Sequence, residues 1–176
     1  MTLYFDEPVF VATFNVSGIT LQENNLAASG QSFRLTTNSY ALESSAQGDS
    51  SSSDTITVVL GDEDYAAINL KSRLAKSIDT TRLAASSHTA TDVAGNRMNE
   101  VFDGQSLAAS QFTPDSTKPQ LERFWIDIDT GILTLNFTEP VAFSTFDASL
   151  LLLMSETSRA LATSFRLSSA TTTTTI

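Results

Sequence analysis

Four carboxylates stand where a hard cation could be held: Asp92, Asp115, Asp127 and Asp129. Calcium takes six to eight oxygen ligands without demanding strict geometry, so acidic turns of this kind suit it. A looped site of the helix–loop–helix type would also need a carboxylate twelve residues into the Asp127 string, where Thr138 stands instead. The plainer reading is turn formation. Asp92 opens Asp92-Val93-Ala94-Gly95-Asn96, in which Gly95 or Asn96 can take the left-handed region. Glu7 and Glu139 each precede a proline and read as a shared surface turn, with a ligand or interdomain role as the alternative.

Asn15-Val16-Ser17 and Asn136-Phe137-Thr138 have the pattern that accepts N-linked sugar in a secreted eukaryotic protein, and the Ser and Thr runs could carry O-linked sugar. Chance occurrence is the competing explanation. Catalysis finds no support: His88 is the only histidine, and no nucleophile elbow, zinc-protease helix or phosphate loop is present. A glycosidase pair needs two carboxylates across a pocket, which abundance alone does not supply. The chain is not expected to be an enzyme. Trp125, the single Trp, reads as core or interface packing, with sugar stacking as the alternative.

Composition narrows the partners further. The 176 residues include 20 Asp and Glu against 10 Lys and Arg, a net charge of −10 that repels phosphate backbones. Nucleic acid is therefore a poor partner. The absence of Cys removes disulfides, thiol catalysis and Cys-based metal sites. No apolar run is long enough for a membrane span, and Met1-Thr2-Leu3 leads straight into a strand pattern, not a signal peptide.

The elements that must position these residues come in two copies. Leu3 to Thr37 aligns without a gap with Leu135 to Ser169, an offset of 132 residues with fourteen identities in thirty-five positions. They include Leu3/Leu135, Phe5/Phe137, Glu7/Glu139, Pro8/Pro140, Val9/Val141, Leu21/Leu153 and the run Ser32 to Leu35 against Ser164 to Leu167. Self-similarity at a fixed period marks a module copied along a chain.

Short β-branched and aromatic runs predict strands at Leu3 to Phe5, Ser32 to Leu35, Thr55 to Leu60, Arg82 to Ala84, Leu121 to Ile128 and Ile132 to Phe137. Asp129-Thr130-Gly131 makes a hairpin of the last two. One helix is predicted over about 62–76, capped by Asp62 or Asp64, with Tyr65, Ile68 and Ala75 at helical spacing. Ser44 to Asp54 reads as a mobile loop, and Thr171 to Thr175 as an extended tail opposite Ser39 to Glu43 of the first copy. Pro114 and Pro119 flank a polar connection. The expected domains are 1–113, lacking an opening hairpin strand, and 114–176, a linker plus the first part of a second repeat.

Thr134-Leu135-Asn136-Phe137-Thr138-Glu139-Pro140-Val141, the turn Asp92-Val93-Ala94-Gly95-Asn96 and the joint Asp115-Ser116-Thr117-Lys118-Pro119 together resemble the bacterial-type immunoglobulin-like repeats of surface proteins and adhesins. The resemblance covers both copies. The helix and the 132-residue period depart from the usual shorter module. It implies a mainly β chain of tandem immunoglobulin-like sandwiches with one inserted helix and incomplete terminal modules, and an extracellular or cell-surface location.

Incomplete modules imply a neighbour. The expectation is a structural protein that assembles end to end with copies of itself, or with adjacent repeats, into a fibre or surface appendage. Strand complementation would join protomers, with Leu121, Phe124, Trp125, Ile126 and Ile128 as the assembly residues. The alternative is a calcium-dependent or carbohydrate-binding adhesin that grips a carbohydrate or cell-surface ligand. An accessory module of a secreted hydrolase ranks third.

Overall fold

A computed structural model describes residues 1–42, 52–156 and 163–168. Most of the expected mobile loop (43–51) and the Thr171 to Thr175 tail lie outside the described residues. The chain divides into two compact units, Met1–Lys118 and Pro119–Ile176, so the polar stretch after Pro114 belongs to the first. Among the described residues the protein is mainly β, with small antiparallel sheets and one α-helix.

In the first unit the strands are β1 (Thr2–Phe10), β2 (Ile19–Gln22), β3 (Ser32–Arg34), β4 (Tyr40–Leu42), β5 (Ser52–Val59), β6 (Arg82–Ala85) and β7 (Leu107–Ala108). They form two sheets, β1-β5-β4 and β3-β2-β6-β7. Alternation along the strands sends Leu3, Phe5, Ile56 and Val58 from one sheet, and Ile19 and Leu21 from the other, into a common core. Leu35, Ile68 and Leu74 complete it. Gly18 lets the turn after β6 lie against the entry to β2: a Cβ there would lie 2.2 Å from the Thr89 hydroxyl oxygen and 2.9 Å from that of Ser86. β5 begins at Ser52, so Ser52, Ser53 and Asp54 are strand and not the loop their composition suggested. Backbone pairing to β1 overrides their weak strand preference.

The helix, α1 (Asp62–Asn69), is shorter than its apolar spacing predicts. Its end has a specific cause. The Gln31 side-chain oxygen accepts from the N–H groups of Arg73 (2.8 Å) and Leu74 (3.3 Å), which would otherwise seek carbonyls one turn back. That contact pulls the chain off the helical path, and Leu74 enters the core fully buried. At the other end neither Asp62 nor Asp64 caps: Gly61 is the N-cap, without a side-chain bond.

The second unit contains β8 (Leu121–Asp127) and β9 (Ile132–Phe137), paired as a hairpin, and β10 (Leu152–Met154) paired with β11 (Ser164–Arg166). Gly131 takes φ +71° in the hairpin turn, while the Asp127 carboxylate accepts from the N–H groups of Asp129 and Thr130. Pairings recur at the sequence offset. Leu21 faces Phe33 in β2–β3, and Leu153 faces Phe165 in β10–β11. Leu35 donates its N–H to the Ile19 carbonyl, as Leu167 does to Leu151. Arg34 caps the Ser17 carbonyl, as Arg166 does that of Ser149.

Candidate assembly surface

The two units use equivalent side chains differently. In the first, Val9, Ile19, Leu21 and Leu35 are buried by β5, α1 and the segment around Thr89 and Ala90. Their counterparts Val141, Leu151, Leu153 and Leu167 are apolar but only half-buried, and no described residue from Pro119 to Ser168 is buried. Leu35 is 1% exposed, whereas Phe124, Trp125 and Ile128 on or beside β8 are 56%, 54% and 78% exposed. A two-stranded hairpin is marginally stable in water without a surface to lie on.

Pairing settles which face needs cover. Phe124 stands opposite Leu135, Ile126 opposite Leu133 and Leu121 opposite Phe137, so six apolar side chains share one face. Trp125 opposes Thr134 on the other face, beside Arg123 and Asn136. Of the five residues read as an assembly set, Leu121, Phe124 and Ile126 therefore lie together, Trp125 points away from them, and Ile128 lies in the turn beyond the strand. Leu133, Leu135 and Phe137, absent from that set, complete the face. Their identity or likeness to Met1, Leu3 and Phe5 across the repeat was the signal that marks them.

Strand edges are equally specific. Val58 donates to the Met1 carbonyl at 2.7 Å, so Met1 and Leu3 turn their backbone groups towards β5. Alternation turns those of Thr2 and Tyr4 the other way, to an edge that no described strand of the unit pairs. In the hairpin, Thr138 donates to the Gln120 carbonyl. By the same alternation Thr134 and Asn136 face β8, while Leu133, Leu135 and Phe137 present an edge that no described strand of the unit pairs. Residues equivalent by sequence thus bond on opposite sides: β1 through its odd residues to β5, β9 through its even residues to β8.

The acidic residues are held in local turns. Both Asp92 carboxylate oxygens accept from Asn96, through its side chain and its backbone N–H, and Ala94 adds a third bond. The Asn96 bonds hold the Asp92 carboxyl below its ordinary range. Bonds from Thr130 do the same for Asp127. Asp115 accepts from Thr117 N–H at 3.0 Å. Asp92 and Asp115 belong to the first unit, Asp127 and Asp129 to the second. Among the described residues no three His, Asp or Glu side chains converge as metal ligands.

Of the two sequons, Asn15 uses its side-chain oxygen to accept from the N–H (3.1 Å) and hydroxyl (2.7 Å) of Ser17. Asp147 makes the same turn with Ser149 in the second unit. The Asn136 amide nitrogen donates to Glu122 at 3.0 Å. Asn15 is exposed and Asn136 half-buried. His88 lies in an exposed turn, which Thr89 N–H closes by donating back to the Ser86 carbonyl.

The best-organised polar cluster of the first unit surrounds Asp64, which is 1% exposed. Its carboxylate accepts from Thr36 N–H (2.9 Å), the Thr36 hydroxyl (2.8 Å) and the Ser39 hydroxyl (2.6 Å). Burial pushes the carboxyl up, but the bonds from Ser39 and Thr36 together outweigh it and hold the group below its usual value. The Ser39 oxygen in turn accepts from Gly61 N–H. This cluster ties the first turn of α1 to the chain between β3 and β4. Its role is architectural.

Compared with family models, curated proteins and solved structures, the chain matches none.

Proposed function

We propose that this chain is a structural building block of an extracellular fibre or surface appendage, assembled end to end with copies of itself. The paired sheets of the first unit, with a common core between them, are read as an immunoglobulin-like sandwich, and the second unit as the beginning of another. One observation carries the assembly reading: the second unit presents core-forming side chains at the repeat's own positions, none of them buried among the described residues, and no described strand pairs the far edge of β9. Burying a Leu, Ile or Phe side chain stabilises by about 1.5–3 kcal/mol, so covering the six-residue hairpin face is a strong drive to associate. Contact between different surfaces of successive copies propagates into a filament where its rotation does not close a ring.

Light scattering coupled to size exclusion, with negative-stain electron microscopy, tests this on the full chain. Wild type should grow beyond its 18.9 kDa protomer mass as concentration rises. A Phe124→Lys/Ile126→Lys chain, altered only at exposed side chains, should remain a protomer. A wild type that stays monomeric at hundreds of micromolar, or a double variant that assembles equally well, refutes the proposal.

A further inference from the structure

The geometry points to a defined exchange between copies: β9 of one chain takes the place of the first half of β1 on β5 of a second copy, carrying β8 with it. This rests on the assembly reading and specifies its joint.

Simple addition at the open edge of β1 fails on parity. Directly opposed residues of an antiparallel pair project to the same side of a sheet. Pairing the open edge of β9 with the open edge of β1 would set Leu135 against Thr2 or Tyr4, whose side chains lie on the face away from the core. The outer edge of β8 has the same fault, since it would set Phe124 or Ile126 against those residues. The apolar hairpin face would then lie on the solvent side. The open edge of β9 matches, in both bonding and facing, the edge of β5 that β1 occupies.

β9 is built for that place. Thr2, Leu3 and Phe5 recur as Thr134, Leu135 and Phe137, and Leu133 replaces Met1. In the β1 register, Thr2 opposes Thr57 and Leu3 opposes Ile56. Thr134 and Leu135 would oppose the same residues, sending Leu135 into the core that Leu3 now contacts. The hairpin adds what β1 lacks there: β8 pairs the far edge, and Phe124 and Ile126 extend the apolar face.

The acceptor can release its segment locally. Pairing of β1 with β5 is regular through Tyr4, breaks, and resumes at Val9, so residues before the break can leave while Val9 and Phe10 stay against Ser53 and Ser52. The donor cannot follow with the rest of its unit. Leu150 stands where the first unit has Gly18, and a side chain at that position collides with Thr89 and Ser86. Exchange is thereby confined to the hairpin.

Native chains have no cysteine, so one introduced residue per chain reports the joint. Thr57→Cys and Thr134→Cys chains, mixed and mildly oxidised, should give a disulfide-linked heterodimer at least five times more abundant than a mixture of Thr57→Cys with Thr130→Cys, whose cysteine sits at the hairpin tip. Both thiols in the first mixture would occupy a closely spaced cross-strand pair, and single-cysteine chains cannot link internally. Assemblies in the microscope with no excess over the control overturn the exchange and leave the assembly reading standing. Protomers alone in every mixture, and in wild type, overturn both.

Discussion

Replacing Asp64 by Asn changes little in volume and removes one charge from a buried site, which makes the consequence calculable. Asp64 accepts three hydrogen bonds, two of them from hydroxyls and one from a backbone N–H. Bonds to a charged acceptor contribute roughly 1.5–3 kcal/mol each, against about 1 kcal/mol for neutral pairs. The amide retains one oxygen, but its NH2 group must face a donor. Thr36 is exposed and can turn to water, whereas Ser39 is 2% exposed and cannot. The net loss is therefore about 2–3 kcal/mol, close to one stranded donor plus the weakening of the remaining bonds. For a unit of this size that lowers the melting temperature by roughly 10 °C.

Acid should erase the difference. The folded carboxyl titrates below its ordinary 3.8, so its contribution is fully present above that value and is lost as pH falls through the lower folded value. Thermal melts of both full-length proteins by circular dichroism, at pH 7 and stepwise below pH 4, provide the assay. The gap should be widest at neutral pH and close as the wild-type carboxylate protonates. A shift of less than about 2 °C at pH 7 would refute the role given to the Ser39 and Thr36 bonds, given the roughly 10 °C expected. So would a gap that persists unchanged in acid.

Equivalent leucines should respond unequally. Leu35→Ala empties a site that is 1% exposed and should cost about 2–5 kcal/mol, while Leu167→Ala, at a half-buried position, should cost clearly less when measured on protomers by urea denaturation. Equal costs would contradict the difference in burial between the units. At the paired position, Gly18→Ala should destabilise by roughly 1–3 kcal/mol because the new Cβ displaces the buried Thr89 side chain, whereas Leu150→Ala, at a site 74% exposed, should leave the denaturation midpoint of the protomer unchanged. A neutral Gly18→Ala would show that the turn after β6 packs on Gly18 with more slack than the 2.2 Å approach implies.

Locally encoded features were legible in the chain. The β8–β9 hairpin rests on alternating apolar residues and on a turn whose Asp127 and Gly131 act within a few residues of each other, so neighbours in sequence suffice to specify it. The 132-residue echo likewise carried through to the pairing of β2 with β3 and of β10 with β11, since the same side chains in the same order meet the same backbone demands. What sequence could not supply came from contacts between distant segments. β2 is too short to stand out beside stronger runs, yet it lies inside its sheet, between β3 and β6. The helix was overextended because Gln31, more than forty positions upstream, removes two of its backbone donors.

Site residues divide along the same line. Asp64 resembles a cap by position and serves instead as the acceptor for Thr36 and Ser39, a role that exists only once the strand ends converge. The assembly set was half visible: β8 offered its apolar residues to inspection, but which of them share a face depends on pairing with β9. Sequence by itself determined the repeat, the hairpin and the apolar character of both copies, because composition and short-range spacing fix local propensity. Tertiary structure alone decided which copy buries that character and which strand edges stay open, because burial and backbone pairing are properties of segments brought together from far along the chain.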